Sequence, residues 1–249
     1  MARVPEGTCV WAVGDVHGRA DLLDALLLHI GEDLRTGAAH RRVLVMLGDY
    51  VDRGAGSRAV IERLVGLKAW QGVEVHLLRG NHDDWMLRFL DDPALGVAWC
   101  EHGGRETLWS YGVEPPRPGA TADDWRAASD RLIEAMPQAH RAFLEDLELS
   151  VEIGDYFFAH AGARAGVPLS DQAAEDLMWI RAEFIGGAAP FERMVVHGHT
   201  PEEAAHADHR RIGIDTGAYA TNVLTGLRLE GADRQLAQTR PGGVVRRPL

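Results

Sequence analysis

The sequence predicts an α/β fold, because short apolar runs typical of buried strands alternate with segments of helical periodicity. Residues 43–47 are apolar throughout, as expected for a strand that is covered on both faces. Helical periodicity follows the first strand candidate, where one face carries Leu22, Leu23, Leu26, Leu27 and Ile30. A chain of 249 residues suffices for one large domain, so we expect a single domain over residues 1–249.

The predicted elements follow in order along the chain. Strands are expected at residues 9–13, 43–47, 73–78, 147–153, 156–159, 194–196, 211–214 and 222–229. Gly154 and Asp155 predict a hairpin turn between the strands at 147–153 and 156–159, since this dipeptide is typical of tight turns. Helices are expected at residues 22–30, 60–65 and 85–90.

Two segments depart from this alternation. Residues 91–138 contain scattered tryptophans and glycines and several prolines, and we expect helices and loops inserted over one face of the sheet. Aromatic residues in such an insert usually form a small core, although they can also line a substrate. The last ten residues, 240–249, lack periodicity and are expected to be a loose tail.

Composition excludes several classes of protein. Lys and Arg number 26 against 37 Asp and Glu, and the net charge of −11 argues against a nucleic-acid binder. No apolar run approaches the roughly 18 residues of a membrane helix, and the start does not resemble a signal peptide. Cys9 and Cys100 are too few for a disulfide scaffold or a thiolate zinc cluster. We therefore expect a cytoplasmic protein without a membrane partner.

Polar clusters that contain glycine follow five of the strand candidates. They read GDVHG from residue 14, GDYVDRG from residue 48, RGNHD from residue 79, HAG from residue 160 and HGHT from residue 197. Active sites of open α/β sheets lie beyond the carboxyl ends of the strands. If the five strands share one sheet, these clusters converge on one place.

The side chains in these clusters are carboxylates, imidazoles and an amide, without a thiolate. This set suits Mn²⁺, Fe or Zn²⁺ and exceeds what one tetrahedral ion requires, whereas two ions with a bridging carboxylate explain the surplus. Arg53 and Arg79 stand beside the ligand candidates, and a planar guanidinium there indicates a tetrahedral oxyanion such as phosphate. The pattern therefore predicts metal-assisted hydrolysis of a phosphate ester.

The five motifs, in this order, resemble the phosphoprotein-phosphatase branch of the calcineurin-like metallophosphoesterases. The resemblance runs from about residue 10 to residue 217 and is strongest to the compact bacterial and phage-type (lambda phosphatase-like) serine/threonine phosphatases, which IDTG at residues 214–217 also fits. It implies a sandwich of mixed β-sheets flanked by helices, with the active site at the carboxyl ends of the strands. It also implies two divalent ions, foremost Mn²⁺. The chain shows no sign of the surfaces that eukaryotic members use for regulatory subunits.

The resemblance implies roles for individual residues. Asp15 and His17 would bind the first metal, Asp49 would bridge both ions, and the second metal would be completed by Asn81, His160 and His199. His199 is preferred to His197 because the family's ligand follows the small residue of this motif, a choice that spacing alone leaves open. His82, oriented by Asp52, would protonate the leaving oxygen, while Arg53 and Arg181 would bind the substrate phosphate. Arg79 would either bind phosphate or support the acidic cluster. His197 would contact the ligands without binding a metal itself, and Asp215 would be a turn residue.

Three functions compete at this point. The first is a serine/threonine phosphoprotein phosphatase, indicated by the Asp52-Arg53 pair. The second is a symmetrical diadenosine tetraphosphate hydrolase, towards which Asp83 points, because many protein phosphatases have Glu there. The third is a non-catalytic phosphate sensor or scaffold, which should have lost ligands, whereas every expected ligand is present here. The expected partner is accordingly a phosphoprotein, a phosphopeptide or a nucleotide.

Overall fold

Two mixed β-sheets form the centre of the protein. The computed structural model describes residues 2–249. One sheet has the order β11-β10-β9-β1-β2-β3 and the other the order β4-β5-β6-β8-β7. The strands are β1 (Thr8–Val13), β2 (Arg41–Met46), β3 (Glu74–Leu77), β4 (Ser150–Ile153), β5 (Tyr156–Ala159), β6 (Met194–His197), β7 (His206–Ala207), β8 (Arg211–Gly213), β9 (Thr225–Glu230), β10 (Asp233–Arg240) and β11 (Gly243–Pro248).

Helices cover the outer faces of the sheets. They are α1 (Ala20–Thr36), α2 (Ser57–Leu67), α3 (Asn81–Asp91), α4 (Gly96–Trp99), α5 (Arg105–Ser110), α6 (Ala122–Ala135), α7 (Gln138–Glu145), α8 (Ala174–Trp179), α9 (Ala182–Ile185) and α10 (Ala218–Thr221). A π-helical turn, Cys100–Gly104, joins α4 to α5. Of the described residues, none lies in a helix long and apolar enough to cross a membrane.

Parallel pairing sets the direction of the strands that lead to the polar motifs. In the first sheet β1 pairs in parallel with β2, and β2 with β3. In the second sheet β5 is parallel to β6, and β6 to β8. The carboxyl ends of each parallel set therefore point to one edge of their sheet, as the sequence predicted.

Three apolar cores hold the layers together. The inner faces of the sheets meet in a core that includes Val10 and Val45 of one sheet and Phe158 and Val196 of the other. Helices pack on the opposite face of the first sheet, and a third core joins the second sheet to α8 and α9. The sandwich of mixed sheets flanked by helices that the resemblance implied is thereby confirmed.

The segment 91–138 is mainly helical and packs on the first sheet together with α3. Trp99 is fully buried and Trp125 is 6% exposed, and both belong to the core on that face. Trp109 is 51% exposed. The expected small aromatic core is thus present, but it forms one continuous core with α1 and α2 rather than a separate unit.

The carboxyl-terminal segment is not the loose tail that the sequence predicted. Residues 243–248 form β11, which pairs antiparallel with β10 along its whole length. Gly242 and Gly243 adopt φ values of +91° and +145°, which side chains rarely tolerate, and they reverse the chain between the two strands. The correction has a simple cause, because backbone pairing stabilises an edge strand even where its side chains show no apolar alternation.

Asp33 on α1 forms hydrogen bonds with side chains of three strands of the first sheet, β1, β9 and β11. Its carboxylate accepts hydrogen bonds from Trp11 Nε1 at 2.9 Å, Arg228 Nε at 2.8 Å and Arg246 Nη1 at 2.9 Å. We expect Asp33→Ala to lower the free energy of unfolding by about 2 kcal/mol, since it leaves part-buried donors without an acceptor. Urea denaturation measures the change, and loss of stability below 0.5 kcal/mol would contradict this role.

Candidate active site

The polar motifs converge on the edge where the two sheets meet. Asp49 follows β2, Asn81 and His82 begin α3 after β3, and His160 follows β5. These side chains are all no more than 2% exposed. The ends of these strands therefore lie close together, as the sequence predicted. The prediction assumed that the strands share one sheet, whereas they belong to two.

Asp49 lies at the centre of the cluster. Its Oδ2 is 3.5 Å from His17 Nε2 and 4.0 Å from His82 Nε2, and its Oδ1 is 3.4 Å from His160 Nε2. The two oxygens of one carboxylate thus face two separate groups of nitrogen donors, which is the geometry of a bridging ligand.

A second group of donors meets at His160 Nε2. This atom lies 3.0 Å from Asn81 Oδ1 and 3.1 Å from His199 Nδ1. Ligand atoms of Asp49, His160 and His199 all lie within 4.8 Å of one another, and so do those of His17, Asp49 and His82. The second group contains the predicted ligands, whereas in the first His82 takes the place expected for Asp15.

The chemistry of these donors fits cations. His17 Nδ1 is 2.8 Å from the Val51 carbonyl and His160 Nδ1 is 2.9 Å from the Leu47 carbonyl. A carbonyl only accepts, so both Nδ1 atoms carry the proton and both Nε2 atoms present a lone pair to Asp49. Burial lowers the pKa of His17 to about 3 and also lowers that of His160, which keeps these rings neutral. Lone pairs directed at a carboxylate repel it unless a metal ion lies between them.

Asp15 and Asp215 add to the negative charge. Both carboxylate oxygens of Asp15 accept a hydrogen bond from the backbone N–H of His199 at 3.1 Å. Burial, with the charges of Asp215 and Asp49, raises the pKa of Asp15 well above its usual value, and burial raises the pKa of Asp215 to about 6. Asp215 also accepts from Gly217 N at 2.9 Å, as expected of a turn residue. A buried excess of carboxylates is costly without compensating cations, so the donor set fits two divalent ions.

His82 and Asp52 form a buried pair beside this centre. His82 Nδ1 is 2.7 Å from Asp52 Oδ2. Burial lowers the pKa of His82, but the charges of Asp49 and Asp52 outweigh it and raise the pKa above its usual value. The remaining ring nitrogen, Nε2, faces the centre and can hold a proton there.

The insert fixes Asp52 in place. Trp99 Nε1 donates to Asp52 Oδ2 at 2.8 Å, and the Thr107 hydroxyl donates to Oδ1 at 2.6 Å. The backbone N–H of Arg53 donates to the Gly103 carbonyl at 3.0 Å. Sequence reasoning missed these contacts, since nothing in the spacing links residues some 50 positions apart. The sequence also did not predict that the Asp83 carboxylate accepts hydrogen bonds from the backbone N–H groups of Asp49, Tyr50 and Gly80.

Arg53 and Arg181 approach the centre from different elements. Arg53 Nη2 is 3.2 Å from His82 Nε2, and its guanidinium lies over the Tyr219 ring at 4.7 Å. Arg181 precedes α9, is exposed, and donates from Nη1 to the His199 carbonyl at 3.1 Å. Both guanidinium groups can therefore meet an oxyanion at the centre.

Arg79 and His197 are engaged elsewhere. Arg79 donates to the carbonyls of Leu144 and Glu145 and lies 3.6 Å from Asp84, so it supports the loop before α3. His197 Nδ1 is 2.9 Å from the Gly198 carbonyl, and its Nε2 is 3.0 Å from Arg211 Nη1. Of the two alternatives left open by spacing, only His199 directs a ring nitrogen into the donor group.

Several of these residues adopt a strained backbone. His17, Asp49, Asp52, Arg53 and His199 all have φ between +43° and +72°. Such values cost roughly 1–3 kcal/mol each for residues other than glycine and persist where the surroundings enforce them. Such a concentration at one place is typical of functional sites.

Comparison with known proteins agrees with the geometry. Residues 10–225 match the family described as calcineurin-like phosphoesterase. The chain is 29% identical over 233 residues to an asymmetrical bis(5'-nucleosyl)-tetraphosphatase of Bacillus subtilis, covering 87% of this chain and 88% of that protein. It is 36% identical over 107 residues to a PP2A-like serine/threonine-protein phosphatase of Saccharomyces cerevisiae, covering 42% of this chain and 26% of that protein.

A solved structure shows the same fold. The crystal structure of a putative diadenosine tetraphosphatase superposes with a TM-score of 0.59 at 18% identity, covering 100% of this chain and 98% of that one. At this identity the likeness speaks for the fold alone. The family match spans most of the chain, including all five polar motifs, and together with the metal-binding geometry it shows that the chain belongs to the calcineurin-like phosphoesterase family.

Proposed function

We propose that the protein hydrolyses a dinucleoside polyphosphate, a bis(5'-nucleosyl)-tetraphosphate, at one of its phosphoanhydride bonds. The observation that carries this proposal is the extent of the similarity. Several tetraphosphatases align with this chain over 87% of its length, whereas the protein-phosphatase match covers 42%. A nucleotide substrate also agrees with the cytoplasmic location expected from the composition.

We assign the metal ligands as the sequence predicted. Asp15, His17 and Asp49 would hold one divalent ion, and Asp49, Asn81, His160 and His199 would hold the other. The donors are oxygen and imidazole nitrogen, for which we propose Mn²⁺. Such a pair of ions, when bound, lowers the pKa of a shared water and offsets the charge of phosphate oxygens. The chain contributes a dry, rigid arrangement of ligands that the strained loops hold in place.

The other residues act on the substrate directly. Arg53 and Arg181 would each bind oxygens of the phosphate under attack and hold it for in-line displacement. His82 would give its Nε2 proton to the leaving oxygen, and Asp52 would keep Nδ1 protonated and the ring in position. The charges of Asp49 and Asp52 outweigh burial and raise the pKa of His82 above its usual value, which favours the protonated ring. No covalent intermediate is required.

Product analysis tests the proposed substrate. We expect metal-loaded protein to convert diadenosine tetraphosphate into equal amounts of AMP and ATP, the asymmetrical division that the relatives' names describe. Ion-exchange chromatography separates the nucleotides. Two ADP per substrate would instead establish the symmetrical division considered from the sequence, and no turnover of the dinucleotide would refute the proposal.

A serine/threonine phosphoprotein phosphatase is the second candidate. The observation that favours it is the buried His82–Asp52 pair, because a general acid matters most when the leaving group is the poorly leaving alkoxide of serine or threonine. A phosphoserine peptide assayed beside diadenosine tetraphosphate separates the two. A non-catalytic scaffold is disfavoured by the full set of donors, and it would require that metal-loaded protein fail to hydrolyse p-nitrophenyl phosphate.

A further inference from the structure

Two tryptophans border the candidate metal centre. Trp85 on α3 and Trp179 at the end of α8 are both half-buried, and their rings meet at 5.2 Å with an interplanar angle of 89°. Trp85 lies 6.1 Å from the His82 ring, and Trp179 lies 6.4 Å from the His199 ring. The pair therefore spans the distance between the proposed proton donor and one of the proposed metal ligands.

The perpendicular contact leaves ring surface of Trp179 uncovered, whereas Trp85 also meets the His102 ring at 5.1 Å. In a perpendicular contact one ring presents its edge, so its faces are not covered by the other ring. Trp99 and Trp125 belong to the core on the helical face of the first sheet and Trp85 packs against it, whereas Trp179 belongs to none of the three apolar cores among the described residues. The partly exposed indole of Trp179, beside a highly charged centre, therefore offers a surface for stacking.

A cavity of about 550 Å³ adjoins Trp179, which lies on its wall together with Arg181, whereas Trp85 reaches it only through its contact with Trp179. Acidic side chains also line it, but Arg164 donates to Asp176 at 2.8 Å and to Glu183 at 3.0 Å. The wall carries three carboxylates, of Glu175, Asp176 and Glu183, against the two guanidinium groups of Arg164 and Arg181, so little net negative charge attracts a basic side chain of a peptide. A planar, neutral ring on the indole, with its phosphates beside Arg181, fits the cavity better.

We propose that Trp85 and Trp179, with the adjoining cavity, form a subsite that stacks one base of a nucleotide whose phosphates bind at the metal centre. The inference deepens the proposed function and rests on it for the identity of the substrate. Arg181 borders both the cavity and the centre, so a phosphate bound by it places the attached nucleoside against Trp179. The nucleotide is thus recognised through its base as well as its phosphates.

Two competitors that differ only by the base test the subsite. AMP and ribose 5-phosphate are measured as inhibitors of p-nitrophenyl phosphate hydrolysis by the metal-loaded protein. We expect AMP to have an inhibition constant about tenfold lower, within the range that stacking on aromatic side chains provides. Trp85→Ala and Trp179→Ala should each bring the ratio of the two constants close to one, whereas Trp85→Phe and Trp179→Phe should preserve most of it.

Trp109→Ala is the matched control, because this tryptophan is 51% exposed and belongs to neither the pair nor the cavity wall. It should keep the wild-type ratio. A ratio near one in the wild-type protein, or an unchanged ratio in both alanine variants, would overturn the subsite. Hydrolysis of diadenosine tetraphosphate is scored separately. Turnover with a ratio near one refutes the subsite alone, and a tenfold ratio without turnover supports the subsite and refutes the proposed function.

Discussion

Replacing Asp49 with asparagine should abolish most of the hydrolytic activity and disrupt the binding of both metal ions. Asp49 is the residue whose two oxygens face His17 and His82 on one side and His160 on the other. An amide offers one neutral oxygen in place of two oxygens that share a negative charge, so the bridge is lost while the shape is kept. Loss of several kcal/mol of transition-state stabilisation corresponds to a fall in kcat of about 10³-fold or more.

Metal binding gives this prediction a readout that does not depend on activity. A ligand that binds the folded state raises its thermal stability by mass action. We expect Mn²⁺ to raise the Tm of the wild-type protein and to raise that of Asp49→Asn much less, with fewer than two ions bound per chain in metal analysis. Asp171→Asn, at an exposed site outside the cluster, is the matched control. Unchanged metal content and unchanged kcat in Asp49→Asn would refute the bridging role.

The apolar runs and polar motifs of the sequence predicted which strand ends lie close together. Apolar runs marked the strands and polar motifs marked their ends, because strand period and the geometry of parallel sheets are local rules. What local rules cannot show is how two separate sheets come together, or that β11 completes the first sheet. The first depends on packing between distant segments, such as Val45 and Phe158 in the core between the sheets, and the second on contacts such as Asp33 with Arg246.

The support of the site was harder to predict than the site itself. A ligand candidate such as His160 or Asn81 stands in a motif with glycine, whereas Trp99 and Thr107 stand in a helical insert with no motif to distinguish them. Their importance comes only from hydrogen bonds to Asp52. Likewise Asp83, considered in the sequence as an indication of substrate class, is a buried acceptor for three backbone amides. A residue that positions another is visible only once the fold is known.

The second large effect is expected for His82→Ala, and it should depend on the leaving group. General acid catalysis contributes roughly 10²–10⁴-fold when the departing oxygen is strongly basic. We expect kcat for a phosphoserine peptide, which releases an alkoxide, to fall by about 10³-fold. For p-nitrophenyl phosphate, and for diadenosine tetraphosphate, the leaving oxygen is weakly basic, and the fall should be about tenfold or less.

The same variant decides between two roles that the geometry allows for His82. Its Nε2 lies within reach of His17 and Asp49 as a possible ligand, yet its Nδ1 is bound to Asp52 as in a proton donor. If His82 is a proton donor, His82→Ala should retain two metal ions, and its kcat should fall mainly for substrates with a strongly basic leaving group. If His82 is a metal ligand, the variant should lose metal, and its kcat should fall equally for every substrate. Asp52→Asn should show the same selectivity in weaker form, because the ring keeps its place but loses the charge that raises its pKa. Agreement between the two variants in leaving-group dependence would establish that Asp52 acts through His82.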